Sequence, residues 1–159
     1  MVGATAQGVR LTQSKLRYHA QDYSHGVFSF VRGKEVWRMT GAKEIEGKGE
    51  MVDTDNRKLY IRILILLNRL LPGEEKNEKL FEIVERLYNF LVGDVNSREL
   101  VEYVTVLRIL YSLGYIYNKD TFKNLLEKCD LNEDVFKEVE VLRKEIIKEI
   151  NEGLRESQL

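Results

Sequence analysis

One stretch constrains the fold more than any other: Arg98 to Tyr115, which reads RELVEYVTVLRILYSLGY. At helical spacing its polar residues Arg98, Glu102, Thr105, Arg108 and Ser112 fall within roughly a third of the circumference. Only Glu99, in the first turn, lies clearly off that stripe. The remainder is apolar: Leu100, Val101, Tyr103, Val104, Val106, Leu107, Ile109, Leu110, Tyr111 and Leu113. A helix apolar over most of its circumference has to be wrapped by other helices, because one contact face would leave the rest in water. Gly114 follows the last periodic residue and can take the left-handed conformation that stops a helix. The stretch therefore reads as the central helix of an all-α region, a core element with no chemistry of its own.

A chain of 159 residues suits one or two small domains. Its hydrophobic fraction of 43% and charged fraction of 32% predict a folded rather than a disordered chain. The single cysteine, Cys129, excludes an internal disulfide and a cysteine-cluster metal site, and fits a reducing compartment. The longest apolar run, Ile63 to Leu67, falls far short of the roughly 20 residues that cross a bilayer. Val2 to Ala6 is too short for a signal-peptide core. The expectation is a cytoplasmic protein with no membrane association and no cofactor. A net charge of −1 conceals an asymmetry: residues 1–48 carry eight Lys and Arg against four Asp and Glu, and residues 49–159 carry seventeen against twenty-two. A front of net +4 and a back of net −5 suggest two regions with different partners.

The front reads as β structure. Met1 to Arg10 lacks a helix period and reads as a strand ending in a loop at Gly8. Arg10, Ser14, Lys15 and Arg17 then cluster beside Thr12 and Gln13. Such donors hold phosphates and give affinity without sequence readout; a solvated basic loop would look the same. In His19 to Arg32 the alternation puts Phe28 and Phe30 on one strand face and Val27, Ser29 and Val31 on the other. Gly33-Lys34 is a candidate two-residue hairpin turn. Glu35 to Ile45 reads as the returning strand, with Val36, Arg38 and Thr40 opposite Trp37 and Met39. The sum is a β-meander of about three strands. Tyr18, Tyr23, Phe28, Phe30 and Trp37 interleave with Arg17, Arg32, Lys34 and Arg38. Aromatics beside cations are what a single-strand nucleic-acid surface needs, since bases stack and phosphates pair. Alternation makes Phe28 and Phe30 core residues first.

Two resemblances to chemistry fail on geometry. His19 and His25 share a strand face while Asp22 points away, so the three do not converge on a metal. Gly41 to Gly49 has the wrong glycine spacing for a phosphate loop, and Gly49 stands where a magnesium-binding hydroxyl is needed.

Gly47 to Asp53 reads as a linker, and the rest is helical. Asp53 or Thr54 can cap a helix running to Leu71, stopped by Pro72-Gly73. Its residues Leu59, Tyr60, Ile61, Ile63, Leu64, Ile65, Leu66, Leu67, Leu70 and Leu71 cover most of its surface, and Lys58, Arg62 and Arg69 form a narrow basic stripe. That stripe suits an acidic peptide tail as well as solvent. Asn77 caps the next helix, which shows Leu80, Val84, Leu87, Tyr88 and Leu91 on one face. After the central helix, Asp120 caps a short helix to about Lys128. A last helix from about Asn132 to Asn151 shows Val135, Val139, Leu142, Ile146 and Ile150. Five helices with short connections make a compact bundle. No nucleophile–base pair occurs at readable spacing, and nothing here argues for an enzyme.

LYIRILILLNRLLPGEEKNEKLF (Leu59 to Phe81) followed by VLRILYSLGY (Val106 to Tyr115) resembles the helical domain of the bacterial DNA repair protein family RecO. That family shows a Leu-rich helix ending in Leu-Leu-Pro, an Asn before a Leu-Phe helix start, then Leu-Arg-Leu-Leu-x-x-Leu-Gly-Tyr. Upstream, AQGVRLTQSKLR (Ala6 to Arg17), Gln21 and VRGKEVWRMTGAKEIE (Val31 to Glu46) resemble the second part of the family's OB-fold barrel. The resemblance implies an α+β chain: a partial OB-like β-meander over residues 1–48, then an all-α helical bundle over residues 49–159. The family's barrel has two further strands before the stretch matched by Met1 to Arg10, so the expectation is a fragment or a barrel completed from elsewhere. Gln7 replaces the family's usual basic residue, and Asp22-Tyr23 its usual Pro-aromatic pair. With Cys129 alone, the chain resembles the members without the four-cysteine zinc site.

The resemblance implies a recombination mediator, not an enzyme. It would bind single- and double-stranded DNA and anneal complementary strands. Its protein partners would be RecR and the tail of single-strand DNA-binding protein, and it would help to load the RecA recombinase. Carried over by position, the DNA surface would use Arg10, Ser14, Lys15 and Arg17; the residue pattern itself adds Arg32, Lys34 and Arg38. The second reading is a helical adaptor that binds protein tails and no DNA, with Lys58, Arg62 and Arg69 as its cations.

Overall fold

The computed structural model describes residues 2–20, 23, 25–44, 51–71, 73–93, 95–117, 120–128 and 130–157. Over these the chain is α+β, with a three-stranded sheet and a helical part. It divides into two compact units, Met1–Gly49 with Gly73–Glu75, and Glu50–Pro72 with Lys76–Leu159.

The first unit holds β1 (Ala4–Thr5), α1 (Leu16–His19), β2 (Gly26–Arg32) and β3 (Trp37–Glu44). The strand order is β1-β3-β2, with β1 parallel and β2 antiparallel to β3, rather than the sequential order of a meander. The first strand is short because Gly8, at φ 73°, turns the chain, and Leu11 N–H closes on Gly8 O at 3.0 Å. The hairpin connection spans four residues instead of two, since Arg32 pairs with Trp37 and Gly33 N–H donates to Val36 O at 3.0 Å. A two-residue turn of the common type needs left-handed backbone at both positions, and neither Gly33 nor Lys34 adopts it. Ser29 pairs with Gly41 but Phe30 with Met39, so Thr40 is an extra residue that bulges β3. No described side chain of this unit is buried. Phe28 is half-buried and Phe30 is 39% exposed, so the core role expected for them is not met among the described residues.

The second unit holds α2 (Thr54–Leu70), α3 (Glu78–Leu91), α4 (Arg98–Ser112), α5 (Lys123–Glu127), α6 (Glu133–Val141) and α7 (Arg143–Glu156). As its circumference demands, α4 is enclosed by α2, α3, α5, α6 and α7. Val101, Val104, Leu107, Ile109 and Leu110 are fully buried. Two residues of the polar stripe, Thr105 and Arg108, are buried as well, while Arg98, Glu102 and Ser112 stay half-buried. Arg108 is 4% exposed, and its guanidinium donates to Leu125 O at 2.8 Å and Asp130 O at 3.1 Å, closing the open carbonyl end of α5. By contrast α2 is one-sided: Leu59, Ile63, Leu67 and Leu70 are buried, and Ile65 is half in solvent.

Side-chain caps set three of the six helix starts described in this unit. Asp53 Oδ1 accepts from Asp55 N–H at 2.9 Å and Asn56 N–H at 2.8 Å. Asn77 and Asn132 accept from Leu80 and Val135 N–H, each at 3.0 Å. Asp120 does not cap α5: the helix starts at Lys123, behind the fully buried Phe122, so burial of that ring decides the start. The last helix is two, broken at Leu142 (φ −94°, ψ 14°). Both pieces pack against α4, and the bend keeps Val135 and Val139 on one side of the break, and Ile146 and Ile150 on the other, in one core. With that break the unit has six helices among the described residues, not five.

One buried amide ties three helix ends together. Asn56 is wholly buried; its Nδ2 donates to Leu91 O at 2.9 Å and Gly93 O at 3.3 Å, and its Oδ1 accepts from Arg98 Nε at 2.6 Å. Arg98 also pairs with Asp53 at 3.2 Å.

At the far end of α4, Gly114 (φ 87°) forms a closing turn in which Tyr115 N–H reaches Leu110 O at 2.9 Å and Gly114 N–H reaches Tyr111 O at 3.0 Å. A β-carbon at this glycine would meet nothing within 4 Å, so Gly114→Ala tests the backbone alone. It should lower stability by about 1 kcal/mol, read as a shifted urea midpoint at constant m. The Asn56 N–H, with Arg98, holds the Asp53 carboxyl below its ordinary pKa. The folded state then binds fewer protons than the unfolded one, so this contribution is present above the unfolded pKa and lost as pH falls through the lowered folded value. Asp53→Asn should flatten the acid limb of the stability–pH curve in that window, measured by urea titration at a series of pH values.

Candidate nucleic-acid interface

The basic residues of the first unit occupy two places. Arg10, Ser14 and Lys15 lie on a coil of successive tight turns, and Arg17 lies in α1 just after it. Ser14 N–H donates to Leu11 O at 3.0 Å, Arg17 N–H to Ser14 O at 3.1 Å, and Ala20 N–H to Leu16 O at 2.8 Å. This coil runs into α1, which packs on β3. Arg10, Lys15 and Arg17 are exposed and Ser14 is half-buried, so the cations are open to solvent within a few residues of one another. Tyr18, 81% exposed, stands beside them with its ring edge-on to His19.

The second place is the closed end of the β2–β3 hairpin. Paired residues share a sheet face, and this sorts the expected contacts. Arg32 pairs with Trp37, and the Arg32 guanidinium lies over the indole at 5.3 Å. Phe28 and Phe30 lie on that same face by alternation. Arg38 pairs with Val31 and Lys43 with Val27, which puts both cations on the other face. Lys34 lies in the turn between. The hairpin therefore offers an aromatic face carrying one cation and an aliphatic face carrying two. The pattern of residues put Arg32 and Arg38 in one cluster; the pleat separates them.

In the second unit two cations of the basic stripe, Lys58 and Arg62, are held by carboxylates of their own chain. Lys58 Nζ pairs with Asp55 at 3.0 Å. Arg62 makes a two-pronged contact with Glu102, Nε to Oε1 at 3.0 Å and a terminal nitrogen to Oε2 at 2.7 Å. That hydrogen bond raises the Arg62 pKa. Arg69 is exposed. Beside the Arg62–Glu102 pair, α2, α4 and α7 enclose a groove of about 330 Å³, floored by Ile63, Leu66, Val106 and Ile150. Periodicity carries no sign of this groove, because its third wall is α7 and depends on non-local packing. The burial of Arg108 and Asn56 has no signal in the sequence either, because each stands among other polar residues, Arg108 in the polar stripe of α4 and Asn56 between Asp55 and Arg57.

No family model matches the chain, and no curated protein matches it. Among the described residues no group of His, Cys, Asp and Glu could hold a metal ion, and no helix is long and apolar enough to cross a membrane. Asp22 and Cys129 lie outside the described residues.

Trp37 is the single tryptophan of the chain. A base stacking at the Arg32–Trp37 pair would alter its emission. Adding a short single-stranded oligonucleotide at low salt is expected to quench that emission, and Arg32→Ala to weaken the quenching. Unchanged emission at saturating oligonucleotide would remove the aromatic face from any interface.

Proposed function

We propose that this chain is a RecO-like recombination mediator that acts by binding rather than by catalysis. Its β region binds single- and double-stranded DNA and favours annealing of complementary strands. Its helical region works with RecR and with the tail of single-strand DNA-binding protein to help RecA load. The observation that carries the reading is the first unit's surface. The exposed cations Arg10, Lys15, Arg17, Arg32, Lys34 and Arg38, with Lys43, accompany exposed Tyr18 and the stacked Arg32–Trp37 pair, with no buried side chain among its described residues. Cations with aromatics match the two halves of a nucleotide. Support also comes from the ordered matches along Ala6 to Glu46, Leu59 to Phe81 and Val106 to Tyr115.

A second reading is favoured by the groove beside Arg62. An apolar floor with a cation at its rim suits a peptide ending in an apolar side chain and a carboxylate. That carboxylate would have to displace Glu102 from Arg62. On this reading the chain is an adaptor for protein tails.

Fluorescence anisotropy of a labelled single-stranded oligonucleotide, titrated across salt, tests the first reading. Binding should weaken steeply with salt, and replacing Arg10, Lys15 and Arg17 together by Ala should reduce the log–log slope by up to about 2, or about 0.7 per lost phosphate contact. An unchanged slope would remove these residues from the surface. No binding at low salt, with capture of an acidic, apolar-ended peptide, would leave the adaptor.

A further inference from the structure

β2 is an open edge of unusual symmetry. It pairs with β3 on one side, and among the described residues no strand pairs with the other. Folded proteins blunt such edges with prolines, charges, bulges or very short strands. The far edge of the sheet, β1, is blunted by having two residues. β2 has seven, contains no proline, and carries no charge before its last residue, Arg32. The bulge of the hairpin lies on β3 and leaves β2 regular. Val27 and Val31 are each 57% exposed, and Phe30 is 39% exposed.

The sequence of the edge reads the same in both directions from Val27 to Val31: Val-Phe-Ser-Phe-Val. Two copies laid antiparallel and centred on Ser29 bring Val27 opposite Val31, Phe28 opposite Phe30, and Ser29 opposite its own copy. A two-fold contact requires this kind of self-complementarity. We infer that β2 pairs edge to edge with β2 of a second copy of this chain, in this register, forming a continuous six-stranded sheet.

Three consequences favour this occupant. Every cross-strand pair from Val27 to Val31 joins identical side-chain types, and aromatic and β-branched pairs are the stabilising ones. The four phenylalanines meet on one face and supply the apolar cluster that the unit lacks alone. No like charges oppose one another, because Arg32 falls opposite Gly26 of the other copy and the two arginines stand roughly 20 Å apart, six residue steps.

Cysteine scanning of the full chain in a Cys129→Ser background tests the register. Ser29→Cys should give a disulfide-linked dimer under mild oxidation. Val27→Cys alone should not, because its counterpart is Val31, but Val27→Cys mixed with Val31→Cys should. Sedimentation of the unlinked chain should show a concentration-dependent dimer. Ser29→Lys, which sets two ammonium groups against each other, should weaken that dimer by roughly fivefold or more with an unchanged circular dichroism spectrum. Equal linking by Ser29→Cys and Val27→Cys would mean random collision and overturn the register. A monomer at all concentrations, with Ser29→Cys unlinked, would overturn the pairing and leave the edge to a strand from another protein.

Discussion

The helical unit depends on enclosing one helix on all sides. Once α4 carries Val101, Val104, Leu107 and Leu110 round most of its girth, burial has to come from every direction. The polar residues caught inside then need partners. Thr105 and Arg108 are 2% and 4% exposed, and a buried guanidinium without acceptors would be strongly destabilising. Arg108 resolves this by donating to Leu125 O, a carbonyl that the C-terminal end of α5 leaves open, and to Asp130 O beyond it. A problem of the central helix and a problem of a five-residue helix are solved by the same side chain.

How much of this could be read beforehand depends on whether a residue acts locally. Asp53, Asn77 and Asn132 cap helices within three residues of themselves, and Gly114 turns the chain where it stands, so these were legible. The α+β division and the enclosed central helix followed from periodicity. What escaped was non-local. The place of β1 beside β3 depends on residues more than thirty positions apart. The break at Leu142 has no proline or glycine to announce it and follows from both segments meeting α4. The apolar turns of α2 suggested burial all round, yet Ile65 faces solvent because the neighbours of α2 lie to one side.

The candidate surface was legible in composition and less so in arrangement. Arg10, Lys15 and Arg17 are neighbours in sequence and stay neighbours in space. Arg32, Lys34 and Arg38 are also close in sequence, but the pleat assigns Arg32 to the aromatic face and Arg38 to the aliphatic one. The stripe of Lys58, Arg62 and Arg69 is cationic in sequence, and two of its three charges are matched by carboxylates from their own chain. A cation count measures the supply of charge, and pairing decides how much of it a ligand meets.

Helix ends ordinarily fray one at a time, each opening at little cost to the others. The start of α2, the end of α3 and the start of α4 meet at the amide of Asn56. Opening any of them strips that amide of a partner and loosens the other two. Three separate fraying events become one cooperative step, so a protease probing this corner would find its cleavage sites opening together or staying closed together.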